Sequence, residues 1–284
     1  MTDPRLAVRR QRTAYLGQSP YAYAHRGGVQ RWPENTLVAF RGAVALGYTH
    51  IETDVHLTRD GHIVCLHDAT LERTTNGRGL LKELTLSELR ELDAGYRFTQ
   101  DGGRTFPYRG QGVTVPTLEE ALAVDPGLRL NLEMKQRAPD MVAPLLDFIE
   151  AHGVAERVLV ASAQDDLTRR FRALRDARGL RVVTSPGARG IVAFWLSVRL
   201  GVHRLLRFDF DALQVPVQHG PLRVVDRRFV EAAHAHGIHV HVWTINDPAE
   251  MRRLYDLGVD AVMTDCPDVL LEVLGEVRAG LRGG

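Results

Sequence analysis

Residues 51–68 have the sequence IETDVHLTRDGHIVCLHD, in which two short apolar segments are joined by a polar Thr-Arg-Asp-Gly turn at 58–61. An Asp-Gly pair between alternating apolar residues is a strong signal for a β-hairpin. Side chains alternate between the two faces of a strand, so Glu52 and Asp54 share one face of the first arm. We expect the hairpin to bring these two carboxylates close to His67 on the returning arm.

The residue types in this hairpin favour metal and proton chemistry. Two carboxylates two residues apart suit a hard divalent cation, which prefers oxygen ligands. A neighbouring histidine is the side chain best able to transfer a proton near neutral pH. A simpler interpretation stands beside this one, because a Glu-x-Asp pair in a strand is usually a solvated face and a lone His-Asp pair usually belongs to a loop. Features elsewhere in the sequence are needed to decide between a metal site and a solvated surface.

The composition limits the classes of protein to consider. The chain has 284 residues, of which 44% are apolar, and this is enough for a sizeable core in one large domain or two small ones. The formal net charge is +1, from 36 basic and 35 acidic residues. Such a balance creates no field that attracts nucleic acid, so we expect no nucleic-acid partner.

Neither a secretion signal nor a membrane span is predicted. Residues 1–18 are polar and rich in arginine. They lack the apolar core of about 7–15 residues that a signal peptide needs, and we expect them to form a mobile N-terminal segment. No apolar run approaches the ~18 residues of a membrane span. The two cysteines have no ligand spacing and are expected to be reduced. These features favour a soluble cytoplasmic protein.

The number of strand candidates indicates the architecture. Nine candidates begin near residues 20, 49, 61, 128, 157, 180, 211, 238 and 259. A parallel neighbour requires a crossover of about a dozen residues, which the short turn before residue 61 cannot supply. The candidate at 61–67 is therefore the returning arm of an antiparallel hairpin, and eight strands remain, each followed by a helix. Eight βα units in about 250 residues predict a (β/α)8 TIM barrel.

An open doubly wound sheet is the alternative architecture. Such a sheet normally has fewer strands and often a glycine-rich phosphate loop, and no G-x-G-x-x-G follows the first strand here. We expect the barrel to be a single domain over residues 19–280. Residues 68–116 contain many turn-forming residues and are predicted to be a small insertion after the hairpin. Such long excursions are usually functional lids or rims.

Charged side chains fall where the predicted strands end, which is where the active site of a (β/α)8 barrel lies. They are three acids, two histidines, one arginine and one lysine: Glu52, Asp54, Glu133, His25, His67, Arg26 and Lys135. Buried without partners, such charges would be costly. Together they suit one another, because acids hold a cation, while the cation, the arginine fork and the lysine hold phosphate oxygens. The histidines would act as base and acid on a phosphate ester.

Several polar residues also have purely structural interpretations. Glu34 lies near the start of a predicted helix, where a favourable interaction with the helix dipole and a role in the site are about equally supported. His239 and His241 lie below the predicted mouth of the barrel, which favours packed core histidines over ligands. Asp265 precedes the last predicted helix and is interpreted as its N-cap.

The chain resembles the glycerophosphodiester phosphodiesterase family, within the phospholipase C-like phosphodiesterase superfamily. The resemblance covers about residues 20–275, and the order and spacing of its segments make it more specific than any single motif. The matching segments are His25-Arg26-Gly27, Pro33-Glu34-Asn35-Thr36, Glu52-Thr53-Asp54-Val55, Thr58-Arg59-Asp60-Gly61, Leu66-His67-Asp68, Thr75-Asn76-Gly77, Val115-Pro116-Thr117-Leu118, Leu132-Glu133-Met134-Lys135, Val242-Trp243-Thr244-Ile245-Asn246 and Thr264-Asp265.

The resemblance implies a barrel with an insertion after the hairpin, and it implies roles for the residues at the strand ends. One divalent cation, Mg²⁺ or Ca²⁺, would be held by three acids, Glu52, Asp54 and Glu133. The general acid and base would be His25 and His67, with the second histidine ambiguous between this role and a metal contact. Three further residues would contact the substrate: Arg26 and Lys135 at the phosphate, and Trp243 at the wall of the alcohol pocket.

The implied reaction is hydrolysis of a small phosphodiester, a glycerophosphodiester, to an alcohol and sn-glycerol 3-phosphate. Either a neighbouring hydroxyl attacks phosphorus first, giving a cyclic ester that water opens, or water attacks directly, and the sequence does not choose. The metal would offset charge on the phosphorus oxygens and lower the pKa of the hydroxyl. The family often has Ser-Phe after the strand at 157–162, whereas this chain has Ser162-Ala163-Gln164, which alters the alcohol pocket.

Two other functions are compatible with the sequence. Residues 190–200 are unusually apolar, and the simpler interpretation is a buried barrel helix. The sharper one is a lip for an acyl chain or a membrane surface, with a lysophospholipid as substrate, as for a lysophospholipase D. From another class, the chain would be a non-catalytic barrel that binds phosphodiesters, although such a relative is expected to have lost a site residue. The sequence does not indicate the oligomeric state.

Overall fold

The computed structural model describes residues 13–283. Eight parallel strands form a nearly closed barrel in the order β6-β5-β4-β2-β1-β11-β10-β7. Two short hairpins supply the other strands, because β3 pairs only with β2, and β8 pairs with β9. The strands of these described residues are β1 Tyr21–His25, β2 His50–Leu57, β3 Ile63–Cys65, β4 Arg129–Met134, β5 Val158–Ala161, β6 Val183–Thr184, β7 Ala212–Val215, β8 Gln218–His219, β9 Leu222–Arg223, β10 His239–Val242 and β11 Ala261–Thr264.

A helix follows each barrel strand and packs on its outer surface, so the predicted (β/α)8 barrel is confirmed. The α-helices are α1 Thr13–Leu16, α2 Leu37–Leu46, α3 Leu86–Arg90, α4 Leu118–Leu122, α5 Val142–Ala151, α6 Asp165–Ala177, α7 Ala188–Arg199, α8 Arg227–Ala235, α9 Pro248–Asp256 and α10 Pro267–Gly283, with 3-10 turns at Leu81–Glu83 and His203–Leu205. Capping residues determine where several of these helices begin. Thr36 caps α2, and Thr117 forms a capping box with Glu120 at α4.

The β-hairpin predicted within residues 51–68 is present in the structure. β2 and β3 are antiparallel, with Val55 opposite Cys65. The amide of Thr58 donates to the carbonyl of His62 at 2.9 Å across the turn. Gly61 has a φ of 86°, a left-handed conformation that glycine adopts without steric cost, which explains the Asp-Gly sequence. The hairpin uses only residues 55–57 of β2, and the strand also pairs with β1 and β4 in the barrel.

The pairing of β2 with β4 positions the acids. In this parallel ladder Glu52 lies opposite Asn131, and Asp54 lies opposite Glu133. Side chains at paired positions of a sheet point to the same face, and this face is the one towards the mouth of the barrel. The register therefore places carboxylates from residues about eighty positions apart beside one another.

The barrel closes between β6 and β7 by contacts other than a strand ladder. The amide of Asp211 donates to the carbonyl of Thr184 at 2.9 Å, and the Thr184 amide donates to a carboxylate oxygen of Asp211 at 3.0 Å. The fully buried Arg175 on α6 donates to the carbonyl of Val182 at 2.9 Å and lies 3.7 Å from the Asp211 carboxylate. A buried ion pair thus joins the two strands that the sheet leaves unpaired.

Aromatic and histidine side chains fill the interior below the mouth. His241 is buried, and the hydroxyl of Tyr21 lies 2.7 Å from its Nε2. Burial lowers the pKa of His241 to about 3, so its ring is neutral. His239 packs against the same tyrosine ring and lies 3.7 Å from Asp260. His241 is therefore a core residue, as the sequence favoured, whereas the neighbouring His239 is half-buried.

The insertion at 68–116 has a small core of its own beside the hairpin. Val64 of β3 and Leu66 after it pack with six apolar side chains of the insertion, all fully or almost fully buried: Leu71, Leu81, Leu89, Ala94, Val113 and Val115. The insertion is thereby fixed against the hairpin that carries His67.

The mobile start expected over residues 1–18 is only partly within the described chain. Residues 1–12 lie outside it. Residues 13–16 depart from the expectation, because they form α1 and the ring of Tyr15 is fully buried, with its hydroxyl accepting from Tyr23 at 3.1 Å. The prediction rested on the overall polar composition of residues 1–18 and did not consider that Tyr15 and Leu16 could be buried. Within residues 13–283, no helix combines the length and apolar character needed to span a membrane.

Replacing Arg175 with Met should destabilise the barrel by about 3–5 kcal/mol, because it removes the guanidinium from a buried ion pair and leaves the Asp211 carboxylate in a poorly solvated place. Denaturant unfolding measures the change. The control is Arg178→Met at the C-cap of the same helix, whose ion pairs with Asp147 and Glu150 lie near the surface and should contribute much less. Equal stabilities of Arg175→Met and the parent protein would show that this contact does not close the barrel.

Candidate active site

The charged side chains predicted to form a site lie at or just after the carboxyl ends of β1, β2, β3 and β4. Glu52 and Asp54 come from β2 and are buried, and the half-buried Glu133 comes from β4. One carboxylate oxygen from each of the three lies within 4.8 Å of the others. Three oxygen donors at this separation can share one divalent cation, which takes carboxylate ligands from several elements.

Lys135 shows that positive charge is stabilised at this point. Its Nζ lies 3.1 Å from Oδ1 of Asp54 and 2.8 Å from Oε2 of Glu133, between two of the three acids. Arg26 adds a second charge, with its Nε 3.3 Å from Oδ2 of Asp54. The carboxylates therefore already bind a cationic group, and their hard oxygen donors fit Mg²⁺ or Ca²⁺.

The three acids do not share their negative charge equally. Burial raises the pKa of Glu52 well above its usual range, and the charges of Asp54 and Glu133 raise it further. Burial also acts to raise the pKa of Asp54, but Lys135 and Arg26 outweigh it and lower that pKa below its usual range. Glu52 is thus the acid most ready to hold a proton, and a cation that binds the cluster displaces that proton.

His25 is held by a carboxylate on one side and faces the acids on the other. Its Nδ1 lies 2.7 Å from Oδ1 of Asp265, and its Nε2 lies 3.7 Å from Oε2 of Glu52. Because an ionised carboxylate only accepts, the ring donates from Nδ1 to Asp265. Burial alone would lower the pKa of His25, but the hydrogen bond to Asp265 and the charge of Glu52 raise it above its usual value.

His67 has a similar arrangement on the other side of the mouth. Its Nδ1 lies 2.6 Å from Oδ1 of Asp68, whose other oxygen contacts Arg73. Partial burial acts to raise the pKa of Asp68, but the hydrogen bonds from Arg73 and His67 lower it to about 2. Asp68 is therefore ionised and accepts from the ring of His67. Both candidate histidines thus have a carboxylate on Nδ1 that sets the tautomer and the ring orientation.

Glu34 belongs to the edge of this charged group. Thr36 caps α2, with its hydroxyl accepting from the amide of Ala39 at 3.3 Å, so the helix start does not depend on Glu34. The Glu34 carboxylate instead accepts from Arg26 at 2.9 Å and from two nitrogens of Arg73 at 2.7 and 2.8 Å. Glu34 thus binds one nitrogen of the Arg26 guanidinium, while another nitrogen faces Asp54.

Sequence reasoning assigned two residues of the site incompletely. Asp265 was expected to cap a helix, and this is wrong, because its carboxylate accepts from His25 and, at 3.0 Å, from the amide of Asn246. Asn35 has a left-handed φ of 56°, and its amide donates to Asp54 at 3.0 Å. Asparagine is among the few residues that adopt this conformation readily. The asparagine at position 35 is therefore the feature of the sequence that could have indicated this role.

The remaining part of the mouth is apolar. A cavity of about 550 Å³ opens beside Glu133, over the ends of β5, β6, β7 and β10. Trp243 forms one wall, and α7 and the β8–β9 hairpin form the others. Trp243, which the resemblance implied as a wall of the alcohol pocket, lines this cavity together with Glu133. We call this space the apolar cavity.

Comparison with known proteins supports the sequence resemblance. The model of the glycerophosphoryl diester phosphodiesterase family matches residues 25–269. A glycerophosphodiester phosphodiesterase of Caldanaerobacter subterraneus subsp. tengcongensis is 32% identical over 260 residues, which are 88% of this chain and 96% of that protein. A glycerophosphodiester phosphodiesterase of Bacillus altitudinis is 31% identical over 266 residues, covering 90% and 98% of the two chains.

Solved structures give the same result. The glycerophosphoryl diester phosphodiesterase domain of a Mycobacterium tuberculosis protein has a TM-score of 0.77 at 23% identity, covers 91% and 99% of the two chains, and shows the shared fold. An Oleispira antarctica phosphodiesterase in complex with the product sn-glycerol-3-phosphate has a TM-score of 0.71 at 29% identity and covers 90% and 97%. This chain therefore belongs to the glycerophosphoryl diester phosphodiesterase family, whose members are phosphoric diester hydrolases.

Proposed function

We propose that this chain hydrolyses glycerophosphodiesters to an alcohol and sn-glycerol 3-phosphate in a reaction that requires one divalent cation, Mg²⁺ or Ca²⁺. The observation that carries the proposal is the convergence of Glu52, Asp54 and Glu133, whose oxygens lie within 4.8 Å of one another. The co-occurrence of these acids with two carboxylate-paired histidines suits phosphate-ester chemistry better than simple binding. Family membership supports the same substrate class.

The three acids would hold the cation, which supplies charge neutralisation at the phosphate oxygens and lowers the pKa of the attacking hydroxyl. Arg26 and Lys135 bring two further positive charges to the same place. The guanidinium offers a planar fork and the ammonium a compact charge for phosphate oxygens. Both contact Asp54, and with that carboxylate engaged by a cation the two side chains would be available to bind the substrate phosphate.

His25 and His67 would move the protons. One ring takes the proton of the attacking hydroxyl at Nε2, and the other donates a proton from Nε2 to the departing alcohol oxygen. Asp265 and Asp68 position the rings and stabilise the protonated forms through Nδ1. We assign His67 this role rather than that of a metal ligand, since the cluster of donors within 4.8 Å consists of the three acids.

The reaction consumes one water in either route. A hydroxyl next to the phosphate attacks phosphorus, the bond from phosphorus to the alcohol oxygen breaks, and water then opens the cyclic ester. Alternatively, water attacks phosphorus directly. Glu34 would act as a positioning residue, because it fixes the Arg26 guanidinium, and Trp243 would contact the organic part of the substrate at the edge of the apolar cavity.

Cation binding should release a proton near neutral pH. Because the pKa of Glu52 is raised, the metal-free site holds a proton that the cation displaces, and the affinity should increase as pH rises. Isothermal titration with Mg²⁺ and Ca²⁺ in two buffers of different ionisation enthalpy measures this. Glu52→Gln should weaken affinity and abolish the proton release. Heat that is independent of the buffer, or an unchanged titration of Glu52→Gln, would remove Glu52 from the metal site.

His25→Ala and His67→Ala should each lower turnover by ~10²–10⁴-fold, the usual effect of losing a general acid or base. Circular dichroism should remain that of the parent protein, and cation affinity should be largely retained. His62→Ala is the control, since this exposed histidine lies on the turn of the β2–β3 hairpin and should leave turnover unchanged. A parent-like rate in either of the first two variants would exclude that histidine from the mechanism.

Asp265→Asn should lower the pKa of His25, because the neutral amide neither attracts the imidazolium nor accepts as strongly from Nδ1. NMR titration of the metal-free protein follows the ring directly. In kinetic profiles of the cation-loaded enzyme, the limb that reports His25 should move to lower pH. Asp268→Asn is the matched control, because this exposed residue pairs with Arg31. An unchanged His25 titration in Asp265→Asn would show that the pair does not tune the ring.

A further inference from the structure

The mouth of the barrel is divided into two chemically different halves. The acids, histidines and basic residues of the candidate site come from β1, β2, β4 and β11 or the segments after them. The apolar cavity lies over β5, β6, β7 and β10, which adjoin one another in the barrel. Glu133 and Trp243 line the cavity and stand on the boundary, so a ligand in the cavity reaches the acid cluster without leaving the mouth.

The walls of the cavity are mainly large apolar side chains from three different elements: Ile191, Val192, Trp195, Leu196, Leu222 and Trp243. Helix α7 has a second apolar face of its own, since Phe194 and Val198 are buried in the core. The buried-helix interpretation of residues 190–200 therefore holds for one face, while the other lines the cavity. Residues 190–200 are unusually apolar because one face of α7 packs in the core and another face lines the cavity.

Polar contacts hold α7 and the β8–β9 hairpin together outside the cavity. The indole Nε1 of Trp195 donates to the carbonyl of Arg223 at 3.3 Å, and the guanidinium of Arg199 donates to the same carbonyl at 3.3 Å. The Arg199 guanidinium also lies 4.9 Å from the centre of the Trp195 ring. These contacts join the hairpin to the helix, so the cavity between them is a built feature.

The polar side chains at the cavity are few: two serine hydroxyls are satisfied within the protein, whereas the buried Nε2 of Gln214 has no hydrogen-bond partner among the described residues. The hydroxyl of Ser162 donates to the carbonyl of Met134 at 2.8 Å, and the hydroxyl of Ser185 donates to the carbonyl of Pro186 at 3.4 Å. Ala163, which also lines the cavity, adds only a methyl group and leaves room. The cavity thus favours an apolar occupant over a sugar or a charged alcohol.

Several lining side chains are left in contact with water. Val192 is 55% exposed, Leu222 53%, Leu196 46% and Trp243 44%. Grouped apolar exposure of this kind marks a binding surface on a soluble domain. The volume of about 550 Å³ lies within the range of roughly 300–1,000 Å³ that is typical for ligand sites. An occupant that covers these side chains gains the free energy of removing them from water.

We propose that the apolar cavity binds a single acyl or alkyl chain of the substrate. The preferred substrates of the protein are then lysophospholipid-like phosphodiesters. This rests on the proposed function and narrows its substrate class. The phosphate lies at the charged half, and the hydrocarbon chain extends past Glu133 and Trp243 into the apolar half. Water is added, the bond from phosphorus to the alcohol oxygen breaks, the alcohol leaves with a proton, and an acylated phosphomonoester remains.

The test compares glycerophosphocholine with hexanoyl and octanoyl lysophosphatidylcholine, all as monomers below the concentration at which they form micelles, with the cation-loaded enzyme. Each buried methylene should increase kcat/KM by roughly fourfold, so the octanoyl substrate should exceed glycerophosphocholine by at least ~100-fold. Equal kcat/KM for substrates with and without a chain would overturn the proposal.

Two variants locate the effect in the cavity. Leu196→Asp places a charge on its wall, and Ala163→Phe fills its space, and each should lower the ratio of octanoyl to glycerophosphocholine kcat/KM by at least ~10-fold. The control is Leu205→Asp, because Leu205 is 83% exposed and lies outside the cavity; its activity on both substrates should match the parent enzyme. An unchanged ratio in both cavity variants would overturn the proposal.

A binding measurement separates this proposal from the proposed function. Fluorescence titration of the EDTA-treated protein with cis-parinaric acid, a fluorescent fatty acid, reports chain binding without any turnover. Binding that both cavity variants weaken and Leu205→Asp retains would support the chain site even if no diester were hydrolysed, an outcome that would overturn only the proposed function. Hydrolysis of glycerophosphocholine with no chain preference and no binding of the probe would overturn the chain site alone.

Discussion

The parallel register between β2 and β4 is the constraint on which the site depends. It places Asp54 directly opposite Glu133, and the alternation of side chains along β2 adds Glu52 to the same face. Three acids this close repel one another in a buried place, and the fold offsets the repulsion with Arg26 and Lys135 rather than with distance. A slip of one residue in this ladder would turn the acids away from the mouth.

The other parts of the mouth extend the same arrangement in two directions. Towards β11 and the insertion, carboxylates orient two imidazoles, and each histidine has its own acid on Nδ1. Towards β5, β6 and β7, charge is replaced by an apolar cavity between α7 and a short hairpin. The site therefore combines a cluster of three acids, two carboxylate-paired histidines and an apolar surface, and different βα units of one barrel supply them.

Much of the fold and of the acid cluster could be predicted from the sequence, because both depend on short-range patterns. The Asp-Gly turn and the two-residue spacing of Glu52 and Asp54 are local, and the count of βα units follows from periodicity. Asp265 was misassigned because its partner, His25, is 240 positions away and comes near it only when β1 pairs with β11. The cavity could not be predicted either, since an apolar helix does not show which face is covered, and the two-residue strands β8 and β9 are too short to detect.

The most direct test of the account is a crystal structure of the protein grown with Mn²⁺, an oxygen-preferring ion that gives an anomalous signal and replaces Mg²⁺ or Ca²⁺. The account predicts one strong anomalous peak at about 2.0–2.6 Å from carboxylate oxygens of Glu52, Asp54 and Glu133, with Lys135 displaced from between the acids. A peak elsewhere, or Glu133 remaining paired with Lys135 outside the coordination sphere, would contradict it.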